Sequence, residues 1–394
     1  MAAEGVLVLT NARLVDGTGA RPREGVDVVL DGGVIASVGE GRIPADAETL
    51  DLGGRTILPG LVDAHVHLAS LGDLPVELRP HGVAEAARQM LAGGITTVRD
   101  CGTYGRVLFD LRDAIDRGLC EGPRLVLCGQ IVAATCAGAR AFSGMYREAN
   151  GSDECRKATR EQIAAGADFI KVMSTGALTV EGENVRPAQL TSPEMDAVVD
   201  EAHRLGFRVA SHAEGADGVR LSVQAGVDTI EHGEMAFEAP EALAQMADQG
   251  IILVPTLCVF DAVVDNGERF SACLREQAQF LRESSRKTVE AARSAGVPIA
   301  MGADAGPHGE NARELVLLAD AGLSPMEAIV ASTRISAEAC GVDHLVGTVE
   351  AGKAADLLVV DGDPLADPRI LLDREQLWLV LKDGERVAGA LTAV

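Results

Sequence analysis

The chain has 394 residues, of which 47% are hydrophobic and 24% charged, a balance typical of a globular protein with one large domain and a smaller module. Its 35 basic and 59 acidic residues give a formal net charge of -24, so nucleic acid and anionic membranes are poor partners. No apolar stretch reaches the roughly 20 residues of a transmembrane helix. The eight cysteines show no C-x-x-C spacing and no leader opens the sequence, so we expect a reduced, cytoplasmic protein.

Both ends of the chain are rich in short β-strand patterns. Residues 6–58 contain VLVLTNARLVDG and VDVVLDGGVIASVG, in which β-forming residues are separated by Asn-Ala, Asp-Gly and Gly-Gly turn signals. ADLLVVDGD and LWLVLKDGERVA, near the C-terminus, have the same character. We therefore predict a small β-sandwich domain formed by residues 1–58 and 345–394.

Between these ends, apolar strand patterns alternate with helical patterns. One helical pattern, residues 191–206, begins at Thr191-Ser192-Pro193-Glu194, a favourable helix start. The predicted strands are residues 57–67, 96–102, 124–129, 168–173, 208–213, 228–233, 251–256 and 298–304. Eight β-then-α units in one domain favour a closed parallel barrel, so we predict an α/β fold with a (β/α)8 TIM barrel over residues 59–344.

Residue types that bind metals lie at the C-terminal ends of the predicted strands, which converge on the mouth of a barrel. His65 and His67 are two residues apart, so their side chains leave the strand on the same face and can reach one ion. A single histidine at a strand end is more often an ordinary polar residue, but four of them with an aspartate favour a metal site. The candidate ligands are His65, His67, Lys171, His212, His232 and Asp304. We interpret three other histidines as ordinary polar residues, because they lie in helical or loop patterns: His81, His203 and His344.

Lys171 is the most informative single residue, because it lies in the strand pattern Phe169–Met173 that should be buried. An ammonium among metal ions would be strongly disfavoured, so a lysine there should lose its proton. A neutral amine can take up carbon dioxide to form a carbamate, whose oxygens can bridge two metals. Alone, the residue would be read as a strand-end lysine that reaches solvent; beside the histidines, the carbamate is favoured.

The motifs LPGLVDAHVHL, DFIKVMSTG, RVASHAEG, DTIEHG, MGADAGPHG and VGTVEAGKAADLLVVDGDPL resemble the amidohydrolase superfamily. The chain is most similar to the imidazolonepropionase-related branch, which includes Xaa-Pro and Xaa-Arg/Lys dipeptidases and carboxypeptidases. The resemblance implies a distorted barrel with two zinc ions. It also implies that His65, His67 and Asp304 bind the more buried ion, that His212 and His232 bind the second, and that carboxylated Lys171 bridges them.

A hydrolytic mechanism would follow from such a site. Two cations lower the pKa of a shared water, so that a bridging hydroxide is available near neutral pH to attack a carbonyl group. Asp304, the expected catalytic residue, would take the hydroxide proton and return it to the leaving nitrogen. A deaminase on the same fold would usually use one metal and lack the bridging lysine, and a non-catalytic relative would be expected to have lost ligands.

Two departures from the family pattern concern substrate choice. The loop Thr135–Phe142 lacks the histidine of a Gly-Gly-His element found in the dipeptidases, and Met235 stands where they tend to carry a tyrosine. Arg140 could instead bind a carboxylate through two hydrogen bonds. Arg140, Met235 and His308, which ends a shortened segment after Asp304, are therefore the candidate substrate-binding residues.

The leading hypothesis is hydrolysis of an amide or related C–N bond in a small molecule. The alternative is a Xaa-Pro or Xaa-Arg-like dipeptidase or carboxypeptidase with an altered carboxylate-binding loop. We favour a neutral substrate, because both recognition groups of the dipeptidases are missing. Apart from its small-molecule substrate we expect the protein to associate only with copies of itself, as a homo-oligomer.

Overall fold

The computed structural model describes residues 5–39, 47–70, 74–178, 183–265, 271–304 and 307–392. The strands are β1 (Val6–Leu14), β2 (Arg23–Asp31), β3 (Val34–Val38), β4 (Glu48–Asp51), β5 (Thr56–Pro59), β6 (Leu61–Val66), β7 (Ile95–Asp100), β8 (Arg124–Leu127), β9 (Ile131–Ala133), β10 (Tyr146–Glu148), β11 (Phe169–Met173), β12 (Arg208–Ala213), β13 (Thr229–His232), β14 (Ile252–Val254), β15 (Leu357–Val360), β16 (Leu377–Lys382) and β17 (Glu385–Ala388).

The α-helices are α1 (Arg79–Ala92), α2 (Val107–Asp116), α3 (Ala137–Ala141), α4 (Ser152–Ala165), α5 (Ser192–Arg204), α6 (Ala216–Ala225), α7 (Pro240–Gln249), α8 (Leu257–Asp265), α9 (Ala272–Ala295), α10 (Arg313–Asp320), α11 (Pro325–Val330) and α12 (Ser336–Cys340). A π-helical turn, Ala331–Ile335, joins α11 to α12. Short 3-10 helices span Val76–Leu78, Ala236–Glu238, Pro368–Leu372 and Ala390–Thr392.

Strands from both ends of the chain share one eight-stranded sheet, in the order β17-β16-β15-β5-β1-β2-β3, with β4 paired to β1. β5 joins the two ends, since it is parallel to β1 and antiparallel to β15. Buried residues from both ends, among them Leu9, Ile57 and Leu357, pack into an apolar cluster of their own. The chain ends are thus paired in one sheet, while the sandwich arrangement and the domain limits stay predictions.

The strands of the central region run parallel to one another, but they do not close into a barrel. Over the described ranges they form a three-stranded sheet, β6-β7-β8, and a six-stranded sheet, β10-β9-β11-β12-β13-β14. β8 reaches the larger sheet through Asp168, whose amide donates to the Leu127 carbonyl at 2.7 Å. The alternation of strands and helices confirms the α/β prediction, whereas the regular strands of the described ranges do not pair into a closed barrel.

Residues 298–304, the predicted eighth strand, account for part of the gap in strand pairing. This segment lies between β14 and β6 and makes backbone hydrogen bonds to both, but only isolated bridges result. Pro298 has no N–H to donate to a ladder, and the Met301 amide donates to the Ser336 hydroxyl at 3.0 Å. Asp304 has a φ of 62°, which no regular strand adopts. The segment therefore fills the eighth position without forming a strand.

The helix predicted from residues 191–206 is α5, and its predicted start is confirmed. Thr191 precedes the helix, and its side chain and that of Glu194 form a reciprocal capping box with the backbone. Capping of this kind satisfies amide groups that have no partner within the helix. None of the helices in the described ranges is long and apolar enough to cross a membrane.

Candidate metal centre and active-site cavity

The carboxyl ends of the central parallel strands surround a cavity of about 200 Å³. All six candidate ligands line this cavity, which brings together residues from positions 65 to 304 of the chain: His65, His67, Lys171, His212, His232 and Asp304. The ring centres of His65 and His67 are 5.4 Å apart, those of His65 and His232 4.9 Å, and those of His212 and His232 4.4 Å. Asp304 Oδ1 lies 3.5 Å from His67 Nε2 and 3.8 Å from His65 Nε2. The arrangement is a compact cluster of metal-binding side chains.

Two of these residues occupy a backbone conformation that is rare outside glycine. His232 has a φ of 71° and Asp304 a φ of 62°. Left-handed backbone of this kind costs about 1–3 kcal/mol per residue and persists where surrounding structure imposes it. Here it turns the chain at the end of β13 and at the end of segment 298–304. Both side chains consequently reach the cavity.

Hydrogen bonds fix the ring nitrogen that three of the histidines present to the cavity. His65 Nδ1 pairs with Glu231 Oε2 at 2.7 Å, and His67 Nδ1 with the Gly102 carbonyl at 3.2 Å. His232 Nδ1 lies 2.7 Å from the Thr256 hydroxyl. With Nδ1 engaged in this way, Nε2 of each ring is left as the free nitrogen, and partners of this kind orient metal-binding histidines in general.

His212 is held through Nε2 rather than through Nδ1. Its Nε2 is 3.1 Å from the Gly176 carbonyl, an acceptor only, so Nε2 carries the proton and Nδ1 is free. Burial lowers the pKa of His65 well below its usual range, and Lys171 lowers it further. Burial and the neighbouring His212 do the same to His232. His65 and His232 are therefore neutral, which is the form that binds a metal ion.

Three buried atoms of cavity-lining residues have no hydrogen-bond partner among the described residues: His65 Nε2, Lys171 Nζ and Glu214 Oε2. Lys171 is only 1% exposed. An unpaired polar group costs several kcal/mol when buried, and an unpaired ammonium costs more. A divalent ion would engage the free nitrogens, and neutral imidazoles with a carboxylate form a donor set that suits zinc. The residues present therefore fit a metal centre.

Two groups of side chains in this region come close enough together to hold an ion. His65, His232 and Asp304 form one group, and His65, Cys101 and Glu231 form the other, each with ligand atoms within 4.8 Å of one another. Burial raises the pKa of Cys101, so this residue stays a thiol. Glu231 already accepts a hydrogen bond from Arg99. The group that contains Asp304 is therefore the candidate metal site.

Glu231 and Arg99 are buried functional residues that the sequence analysis did not identify. Arg99 Nη2 donates to Glu231 Oε1 at 2.7 Å, while Oε2 holds His65. Burial alone would raise the pKa of Glu231, but Arg99 and Lys171 hold it below its ordinary value. Both residues are charged positions inside apolar strand patterns, TTVRDCG and DTIEHG, and that signal was available in the sequence. Arg99 and Glu231 together orient His65.

Asp63 is a further buried residue that the sequence motifs did not single out. It accepts hydrogen bonds at the C-terminal end of β6. Its carboxylate accepts hydrogen bonds from the His65 amide at 3.1 Å, the Ala303 amide at 3.2 Å and the Asn311 side chain at 2.8 Å. Burial raises its pKa to about 7, although these hydrogen bonds oppose the shift. Asp63 thereby ties β6 to the segment that carries Asp304.

The three candidate substrate-binding residues do not line the cavity. Arg140 is exposed on α3. Met235 is 1% exposed and packs with Phe260 in a neighbouring apolar cluster. His308 is half-buried, and its Nδ1 has no partner among the described residues. Burial together with nearby His67 lowers its pKa to about 4. Arg140 thus lies outside the described lining of the cavity, and its role as a carboxylate clamp stays a prediction.

The Amidohydrolase family profile matches residues 56–387 of the chain. Ochratoxinase from Aspergillus niger is 29% identical over 423 aligned positions, covering 98% of this chain and 87% of that protein. Imidazolonepropionase from Rhizorhabdus wittichii is 30% identical, with coverage of 86% and 90%. The crystal structure of a Xaa-Pro dipeptidase with bound methionine in the active site is 32% identical, with a TM-score of 0.88 and coverage of 97% and 99%.

The family match spans most of the chain and the structural likeness spans nearly all of it. The α/β fold is accordingly of the TIM-barrel type seen in amidohydrolase structures, although its ladder is open here. The superfamily predicted from the motifs is confirmed. This chain belongs to the amidohydrolase family and is a hydrolase that acts on carbon–nitrogen bonds.

Proposed function

We propose that the chain hydrolyses an amide or related C–N bond of a small, uncharged molecule with the help of two divalent metal ions, most simply zinc. The observation that carries this proposal is the convergence of four histidines, Lys171 and Asp304 on one cavity. The free nitrogens of these rings and the unpartnered Lys171 amine support it.

In this proposal the ligands divide into two groups around Lys171. His65, His67 and Asp304 would hold one ion, His212 and His232 would hold the second, and a carbamate on Lys171 would supply oxygen ligands to both. When bound, the ions polarise a carbonyl oxygen and lower the pKa of water. Carbon dioxide adds to an amine in its neutral form, and on Lys171 this reaction would release one proton and give a carbamate anion. A buried nitrogen without a partner among the described residues would thereby become an anionic ligand with two oxygens.

Asp304 is the residue we propose to move the proton. Its Oδ1 lies 3.5 Å from His67 Nε2, at the centre of the cluster. The carboxylate can accept a proton from the attacking water and then donate it to the leaving nitrogen. That second transfer is required because an amide nitrogen is a poor leaving group as an anion, and such proton transfer contributes about 10² to 10⁴ in rate.

The walls of the cavity favour an uncharged substrate with an apolar group. Eight of the seventeen lining residues are apolar: Ile131, Phe142, Met145, Met173, Ala177, Leu178, Val259 and Phe260. Among the described residues that line it, Lys171 is the sole lysine or arginine, and the proposal assigns it to the metals. Glu214 also lines the cavity and would repel an anion. A substrate carboxylate would therefore find no lysine or arginine other than Lys171 among the described lining residues.

The second candidate function is that of a dipeptidase. It is favoured by the likeness to a Xaa-Pro dipeptidase at 32% identity over nearly the whole chain. Such a substrate carries a free carboxylate, and the cavity offers that group no cationic side chain other than Lys171. We therefore rank the neutral substrate first.

The two candidates are separated by matched pairs of substrates. Zinc-loaded protein is assayed with N-acyl anilides, aryl carbamates and ureas, and with dipeptides and N-acyl amino acids beside their methyl esters. We expect the neutral member of each pair to be cleaved with the higher kcat/KM. A consistent preference for free carboxylates would favour the dipeptidase, and no cleavage of any compound by protein with full metal content would contradict both.

A further inference from the structure

Three polar side chains line the cavity besides the candidate ligands: Ser70, Tyr146 and Glu214. Ser70 is exposed to solvent. Glu214 Oε1 accepts the Leu178 amide at 2.8 Å, and a carboxylate has no proton to donate. Tyr146 is therefore the one neutral hydrogen-bond donor that is partly buried in the described cavity wall.

Tyr146 is held rigidly at this place. It is the first residue of β10 and pairs in register with Ile131 of β9. Its ring stacks on Phe142, with ring centres 6.2 Å apart and planes 14° from parallel. Both rings pack against the apolar cluster that includes Met145 and Met173. A side chain fixed on both its backbone and its ring can hold a donor in one position.

The Tyr146 hydroxyl has no acceptor or donor among the residues that the structure describes. The hydrogen bond that Tyr146 does receive, from Gln130 Nε2 at 3.4 Å, is to its backbone carbonyl. A tyrosine hydroxyl in an apolar setting normally has a partner. Burial raises the pKa of Tyr146, and the nearby acidic groups of Cys136, Glu183 and Asp304 raise it further, so the hydroxyl stays protonated. The hydroxyl is thus a free donor in the same cavity as Asp304.

The hydrolysis proposed above needs a donor of this kind. Attack on an amide, urea or carbamate carbonyl moves negative charge onto the carbonyl oxygen. A neutral donor that is already aligned stabilises this charge more than it stabilises the uncharged substrate, and removing one such donor typically lowers kcat by about 10² to 10³. A neutral phenol also costs less to keep in an apolar wall than a charged group does.

We propose that Tyr146 is a further catalytic residue, whose hydroxyl donates a hydrogen bond to the substrate carbonyl oxygen as negative charge develops there. This inference rests on the hydrolysis proposed above. Such a role accounts for a rigidly held hydroxyl that has no partner among the described residues.

The variant Tyr146→Phe tests the proposal, because it removes the oxygen and keeps the stacked ring. With 4-nitroacetanilide as the probe, kcat should fall about 10²-fold while KM changes by no more than about threefold. Zinc content and thermal stability should match the wild type. The chain has one other tyrosine, Tyr104, which does not line the cavity. Tyr104→Phe is therefore the matched control and should keep wild-type turnover.

Replacing the carbonyl oxygen of the probe by sulfur shows whether the effect of Tyr146→Phe comes from a lost hydrogen bond or from altered packing. Sulfur is a weak acceptor, so the penalty of Tyr146→Phe should shrink for the thioamide analogue of the same anilide. A kcat within about threefold of wild type on the anilide, or an equal penalty on both probes, would overturn the role of Tyr146 alone. A wild-type enzyme with full metal content that cleaves none of the panel would overturn the proposed function and this inference with it.

Discussion

Replacing Glu231 by glutamine keeps the shape of a buried side chain and changes one of its two acceptors into a donor. Arg99 Nη2 and His65 Nδ1 each lie 2.7 Å from a carboxylate oxygen of Glu231. Arg99 has donors only, so the amide oxygen should stay with it. The amide nitrogen would then face His65 Nδ1 and favour the tautomer with its proton on Nε2. That nitrogen is the one left free for a metal ion.

The size of the effect follows from these contacts. Loss of the partner that orients a ligand histidine lowers metal affinity about 10- to 100-fold, or about 1.4–2.7 kcal/mol. Removal of one member of a buried ion pair lowers the free energy of unfolding by about 3–5 kcal/mol. Arg99 keeps its hydrogen bonds to the carbonyls of Ala64 at 2.6 Å and Ala339 at 3.2 Å. We therefore expect the free energy of unfolding to fall by about 3 kcal/mol, near the lower limit of this range.

Glu314→Gln is the matched control. Glu314 is also a fully buried glutamate, and its two oxygens accept the Leu257 and Cys258 amides at 2.8 Å each. It does not line the cavity. This variant should lose about 1–3 kcal/mol of unfolding free energy and keep its zinc affinity.

The assay compares zinc affinity, measured by competition with a chromogenic chelator, and urea unfolding of the metal-free proteins. Glu231→Gln should be weakened in both measurements and Glu314→Gln in the second alone. If Glu231→Gln bound zinc as tightly as wild type, or if both variants lost the same zinc affinity, the orienting role of Glu231 would be refuted.

Three further substitutions test the other assignments. Lys171→Ala should abolish turnover and lower zinc content by most of one equivalent, and short carboxylic acids should restore part of each; near-normal turnover would make Lys171 structural. Asp304→Asn should lower kcat by about 10² to 10⁴ in a folded protein that still binds metal, and a loss below tenfold would assign the proton transfer to another residue. Arg140→Ala should leave KM within about twofold for neutral and carboxylate substrates, since Arg140 is exposed; a strong KM increase for carboxylates alone would restore the clamp.

The candidate ligands could be predicted because each is a polar residue at the end of an apolar strand pattern. The local signals of strand length, alternation and helix capping at Thr191 need no knowledge of distant residues. Parallel strands then bring their carboxyl ends to one edge, so His65 and His232 meet although 167 positions separate them in the numbering. The strands of the sheet formed by the two chain ends were predictable from the same kind of local signal.

The gap in strand pairing at residues 298–304 and the contacts between distant side chains could not be predicted in this way. Residues 298–304 are apolar and β-like, but the Met301 amide is taken by Ser336, 35 positions away. The pairing of Arg99 with Glu231 spans 132 positions. Such contacts depend on the tertiary structure and leave no periodic pattern. The cytoplasmic location and the homo-oligomeric state stay predictions.

The central claim is that one cavity holds two ions joined through Lys171, and the metal content of active protein tests it most directly. Metal-free protein is titrated with zinc in the presence of bicarbonate, and bound metal and turnover are measured on the same samples. We predict that activity rises to its maximum at close to two equivalents per chain, because six ligand residues exceed the needs of one tetrahedral zinc. Full activity at one equivalent, with no further binding in the cavity, would contradict the account.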